Sequence, residues 1–182
     1  MGRLLIIGLL VAGSAHAEDK VDAKAAVPML LKALAYDTNF DARGWGQMSV
    51  LIISDADHAS DRGAVLDAVK DADLKVKNRG VKYASAEVKD EASLQAAIDK
   101  AKCGVVVITP GTSDAVVKAV SEIVQDNQIY AMALDAATVE KFIPLGAESV
   151  GGKLRIVVNE KAAAAVGAKF EPSMLKVARV IQ

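Results

Sequence analysis

The chain has 182 residues, 22 of them basic and 23 acidic, for a net charge of −1. That length accommodates one domain with a real core and excludes a two-lobed solute receptor, which needs two domains of ~100–150 residues each. A near-neutral balance without a clustered Lys/Arg face excludes the electrostatic footprint of a nucleic-acid binder.

The opening residues, MGRLLIIGLLVAGSAHA, combine one positive charge at Arg3, an apolar run from Leu4 to Ala12, and Ala15 and Ala17 around His16. This is the layout of a secretory signal peptide over 1–17. The apolar run is roughly half of the ~20 residues that span a bilayer, so a membrane anchor is not expected. Residues 18–182 then form a single exported domain, expected to be soluble and periplasmic. Cys103 is the only cysteine, so no internal disulfide can form. Its place before an apolar run suits a buried, inert thiol.

In VPMLLKALAYD, Val27, Leu30, Leu31 and Leu34 recur at helical spacing, with Pro28 suited to the first turn. NFDARGWGQ breaks the pattern, and MSVLIIS follows as a strand covered on both faces. SDRGAVLDAVKDADLKV predicts a helix, with Ser60 as its cap and Val65, Leu66 and Val69 on one face. GVKYASAEV alternates weakly and suits an edge or intermediate strand. DEASLQAAIDKA is a helix with Leu94, Ala97 and Ile98 inward. GVVVITP is a second buried strand, TSDAVVKAVSEIVQDN a helix capped by Thr112 or Ser113, and IYAMALD a third buried strand.

Strands alternating with helices of this length imply an α/β fold, a three-layer α-β-α sandwich with a mostly parallel, Rossmann-like sheet. After Asp135 the rhythm changes. Gly151 and Gly152 suit a hairpin turn, pairing AESV with an antiparallel edge strand in KLRIVVN. EKAAAAVGAKF and PSMLKVARVI complete the chain as two helical pieces, with Met174, Leu175 and Val177 laid on the sheet.

No catalytic motif accompanies this fold. There is no G-x-S-x-G elbow, no G-x-G-x-x-G and no G-x-x-x-x-G-K. With His58 as its only histidine outside the leader, the chain lacks the ligands of a His/Cys zinc site. Neither a metal nor a cofactor is implied.

Two loops remain as candidate ligand sites, because open parallel sheets bind ligands beyond the carboxyl ends of their strands. Asp55, Asp57 and His58 follow the first buried strand and can hold an ion or form an acid–base pair. The same residues also read as a polar loop in which Asp57 or Ser60 caps the next helix. Gly111, Thr112 and Ser113 follow the second buried strand and can offer backbone N–H groups to an anion; they serve equally as an ordinary strand-to-helix turn. A third candidate is a protein-binding surface on the first helix, presenting Leu30, Leu31, Leu34 and Tyr36. Core packing is the other use of those leucines.

GGKLRIVVNEKAAAAVGAKFEPSMLKVARVI resembles the C-terminal end of the YfiR-like family of exported bacterial proteins. There a short strand leads to an asparagine, an alanine-rich turn and a leucine-rich helix ending near an arginine. Asn159, Gly167, Leu175 and Arg179 occupy the matching positions. MLLKALAYD is similar to the family's first helix, and MSVLIIS and CGVVVITP to its central strands. The resemblance implies a small, often homodimeric periplasmic α/β protein without enzymatic activity. Such a protein restrains a membrane-bound signalling partner, either a diguanylate cyclase that makes cyclic di-GMP or a sensor kinase. A small-ligand or ion sensor module is the alternative role.

Overall fold

The computed structural model describes residues 21–44, 46–70 and 73–182, and the expected leader over 1–17 lies outside them. Seven helices and eight strands are found among the described residues: α1 (Ala23–Ala33), β1 (Met48–Ser54), α2 (Ala59–Val69), β2 (Lys75–Val76), β3 (Arg79–Glu87), α3 (Glu91–Ala101), β4 (Val105–Ile108), α4 (Asp114–Asp126), β5 (Tyr130–Ala133), α5 (Ala136–Glu140), β6 (Leu145–Val150), β7 (Lys153–Asn159), α6 (Glu160–Ala165), α7 (Pro172–Leu175) and β8 (Arg179–Ile181). The strands form one sheet in the order β2-β3-β1-β4-β5-β6-β7-β8. Pairing is parallel from β3 through β6, antiparallel for β2 with β3 and β6 with β7, and parallel again for β7 with β8.

The aliphatic runs of β1, β4 and β5 lie at the middle of this sheet and are buried on both faces. Helices α1 and α2 pack together, as do α3 and α4, while both α2 and α3 pack on β1 and β3. Right-handed crossovers account for the division, since the chain winds one way from β1 to β3 and the other way from β3 to β4. The result is the expected α/β sandwich.

Several local expectations change. Asp22 caps α1 by accepting the Lys24 N–H at 3.0 Å, so the helix begins before Pro28 and holds that proline in its interior. The helix read over 60–76 ends at Val69, and Lys75–Val76 turn back as a short antiparallel partner of β3. Lys77 and Asn78 make that turn with positive φ. At the other edge, β7 pairs with β6 through the Gly151–Gly152 turn as expected, but it is not the last strand. PSMLKVARVI forms one short helix and then strand β8, which supplies the edge. Met174 is buried and Leu175 half-buried, whereas Val177 is 71% exposed and does not cover the sheet.

Charge decides where β8 sits. Glu148 on β6 is buried and stands opposite Arg155 on β7, which forms an ion pair with it. Arg179, the first residue of β8, donates to Glu148 at 3.0 Å and to Glu140 at 2.6 Å. A buried carboxylate needs such partners, because its desolvation is otherwise uncompensated. Both bonds raise the Arg179 pKa above its ordinary value, Glu140 more than Glu148.

Candidate functional site

Strand β1 lies between β3 and β4, so the chain leaves it in one direction and returns past it in the other. The loops after β1 and β4 therefore flank the topological switch point, where doubly wound sheets open a crevice. These are the two loops singled out in the sequence, and the fold brings them together.

Asp55 joins them. Its Oδ1 lies 2.6 Å from His58 Nδ1 and accepts the His58 backbone N–H at 3.2 Å. Its Oδ2 accepts the Ser113 N–H, at the start of α4, at 2.8 Å. Asp55 thus caps the single 3-10 turn (Ala56–His58) that leads into α2, the role expected of Asp57 or Ser60. The α4 terminus, a candidate anion site in the sequence, receives this carboxylate. Ser113 holds the cap position of α4 but makes no side-chain cap bond, and Thr112 Oγ1 donates to the Thr109 carbonyl at 2.8 Å.

Gly111 completes the closure. It has φ +81°, and a Cβ there would lie 2.6 Å from His58 Nε2, so only glycine lets the imidazole lie against the β4–α4 loop. The Asp55 hydrogen bond raises the His58 pKa above its ordinary value near 6.5. Burial pushes the Asp55 carboxyl upward, but the bonds from His58 and the Ser113 N–H outweigh it and hold the group below its ordinary value. Asp57 is exposed on the 3-10 turn. Among the described residues no three His, Cys, Asp or Glu side chains gather as they would around a metal ion. The switch-point loops are joined to each other through one carboxylate.

The leucines of α1 and of the turn that follows it are fully buried: Leu30, Leu31 and Leu34 have no accessible surface. They are core, and only Tyr36 of that proposed contact surface, 46% exposed, can meet a partner. Helix α1 packs against α2 and β6, which consumes its apolar stripe.

The family-like residues of the C-terminal run have local tasks. Asn159 ends β7 and caps α6, its Oδ1 accepting the Ala162 N–H at 3.1 Å while its Nδ2 donates to the Val139 carbonyl at 3.2 Å. Gly167 follows α6 with φ +72° and packs so closely that a Cβ would lie 2.6 Å from Gln128 Oε1. Cys103 is buried, and burial raises its thiol pKa to about 12, which leaves it a poor nucleophile.

A second polar network was not read from the sequence. Asp37, buried between α1 and β1, accepts the Lys169 N–H at 2.8 Å and the Asn39 N–H at 3.0 Å through Oδ1. Its Oδ2 accepts the hydroxyl of Tyr130, the first residue of β5, and lies 3.7 Å from Arg43 Nε. The Arg43 guanidinium stacks 4.1 Å from the centroid of the Tyr130 ring and donates to the Val166 carbonyl at 2.8 Å. Burial raises the Tyr130 pKa far above its ordinary value, with the Asp37 bond adding to the rise. The one hint in the sequence is a tyrosine in an otherwise aliphatic strand, since a buried hydroxyl needs a partner.

The most exposed of the large apolar side chains lie elsewhere. Val150 and Val177, 53% and 71% exposed, line a groove with Leu154, Ile156 and Met29 between the β6–β7 hairpin, α1 and the turn before β8. Lys153 and Arg155 also line it.

No protein-family model matches the chain, and no curated protein does. Solved structures share its fold. The ABC domain from Streptococcus pneumonia in complex with L-Trp superposes with a TM-score of 0.61 at 15% identity, over 88% of this chain and 62% of that one. A conserved domain protein from Vibrio cholerae gives 0.57 at 12% identity, over 89% and 60%. The ligand-free, open structure of CD0873, a substrate binding protein with adhesive properties from Clostridium difficile, gives 0.55 at 17% identity, over 74% and 54%. This chain spans less than two thirds of each of those chains, and what they share with it is the α/β fold.

Proposed function

We propose that this chain is a non-enzymatic periplasmic regulator that binds and restrains the extracytoplasmic region of a membrane signalling protein, a diguanylate cyclase or a sensor kinase. The observation that carries the reading is the apolar groove at the β6–β7 hairpin. Val150 and Val177 are among the few large apolar side chains left exposed, and they adjoin Leu154, Ile156 and Met29. Clustered exposed apolar side chains mark interaction surfaces. The two loops at the switch point of the sheet are, by contrast, bonded to each other through Asp55. The resemblance of the C-terminal run to YfiR-like proteins supplies the kind of partner.

Tagged protein should recover a membrane signalling protein from detergent-solubilised membranes, and Val177→Asp should abolish the recovery while leaving thermal unfolding unchanged. Recovery of no such protein by the unaltered chain overturns the reading. Unchanged cyclic di-GMP in a deletion strain would remove the cyclase version and leave the kinase version.

A second reading, a periplasmic sensor module for a small ligand, is favoured by the fold shared with an ABC domain in complex with L-Trp and with a substrate binding protein.

A further inference from the structure

A cleft of about 400 Å³ opens between the start of α1, one stripe of α2, and the chain just beyond β4 and β5. It takes its shape from α2, where Asp61, Ala64, Val65 and Ala68 recur at helical spacing and the two alanines leave room above the buried valine. Pro110 and Leu134 close the floor, each just past the carboxyl end of a parallel strand, the side of an open sheet that receives ligands. The volume falls within the range of small-molecule sites. Among the described residues the walls are apolar apart from two carboxylates, Asp22 and Asp61, and no basic side chain lines the cleft.

We propose that this cleft binds a small compound with an apolar body and a protonated primary amine. The carboxylates set the charge. Asp22 commits one oxygen to the Lys24 N–H. Asp61 makes no hydrogen bond or ion pair with any described residue and acts on His58 only through space. An anion would face two like charges. A neutral apolar compound would cover Asp61 and leave it unpartnered, which a buried carboxylate does not tolerate. A divalent metal would want six or more oxygen ligands, and among the described residues no three candidate side chains gather here. An ammonium group offers three donors to two carboxylates, and the apolar walls exclude water and strengthen that attraction.

This inference deepens the ligand-module reading and is independent of the docking groove. The test is titration of the full chain with phenethylamine, phenethyl alcohol and phenylacetate, followed by calorimetry and thermal unfolding. Phenethylamine is expected to bind saturably and raise the melting temperature. Asp61→Asn should weaken it by about tenfold, the worth of one hydrogen bond to a charged group. Ala64→Leu with Ala68→Leu should fill the cleft and abolish binding while the variant still melts cooperatively.

If the alcohol or the acid binds as tightly as the amine and the double leucine variant abolishes it, the amine assignment is overturned and the ligand-module reading survives. If none of the three binds, or if binding ignores both variants, the cleft is not a site and both readings of it fall.

Discussion

Asp55, at the carboxyl ends of β1 and β4, and Asp37, at the amino end of β5, each gather a network around one carboxylate, and the two ends differ in depth and reach. Asp55 is partly exposed and binds a residue three positions away and one loop that the topology already places beside it. Asp37 has a fully buried side chain and ties the segment after α1 to β5 and to the segment after α6, across 93 and 132 residues of sequence. The first arrangement sets loop geometry. The second holds the N-terminal and C-terminal parts of the fold against each other, and its loss is correspondingly expensive.

Deleting 171–182 tests that dependence most severely. It removes α7, β8 and the Arg179 partner of buried Glu148. Cooperative unfolding of the whole domain should be lost or strongly displaced, as followed by far-ultraviolet circular dichroism. A truncation that melts like the full chain would show that the C-terminal run closes nothing.

Asp37→Ala comes next, at about 3–5 kcal/mol, because it removes the buried carboxylate beside Arg43 and the acceptor of the Tyr130 hydroxyl and the Lys169 N–H. Tyr130→Phe should cost only about 1 kcal/mol, since the carboxylate keeps its other partners. Equal effects in urea unfolding would mean that the tyrosine, not the charge, organises this end.

Asn159→Ala should cost about 1 kcal/mol through loss of the α6 cap, with the bond to the Val139 carbonyl adding to it.

The smallest effect is expected at the other end. His58 has a raised pKa in the fold, so its contribution is complete below its unfolded value near 6.5 and is lost as pH rises through the raised folded value. Asp55 has a lowered pKa, so its contribution is complete above 3.8 and is lost as pH falls through the lowered folded value. The melting difference between the natural chain and His58→Ala should therefore be greatest between about pH 4 and 6.5 and shrink above it. A difference independent of pH would mean that the ring acts by packing against Gly111 alone.

Much of this could be read before any coordinates. The continuous aliphatic runs MSVLIIS and GVVVITP can only be strands covered on both faces, and the helices between them impose a parallel sheet. The same rule placed Asp55, His58 and Gly111 at one end of the sheet. The Gly151–Gly152 turn and the Asn159 cap were legible because each depends on bonds within a few residues.

What escaped the sequence depends on partners distant in it. PSMLKVARVI carries helical spacing, yet Arg179–Ile181 form a strand because β7 presents an open edge and Glu148 a buried charge. The leucines of α1 could have faced core or partner with equal periodicity, and packing on α2 and β6 decided for core. Asp37 looked like an ordinary loop aspartate until the fold closed Tyr130 and Lys169 around it. The sequence alone determined the period of each segment and the loops at the strand ends, because those follow from local sterics and hydrophobic spacing. Tertiary structure alone decided which side chains remain as surface and which carboxylates find cations, because burial and charge pairing depend on which segments the fold brings together.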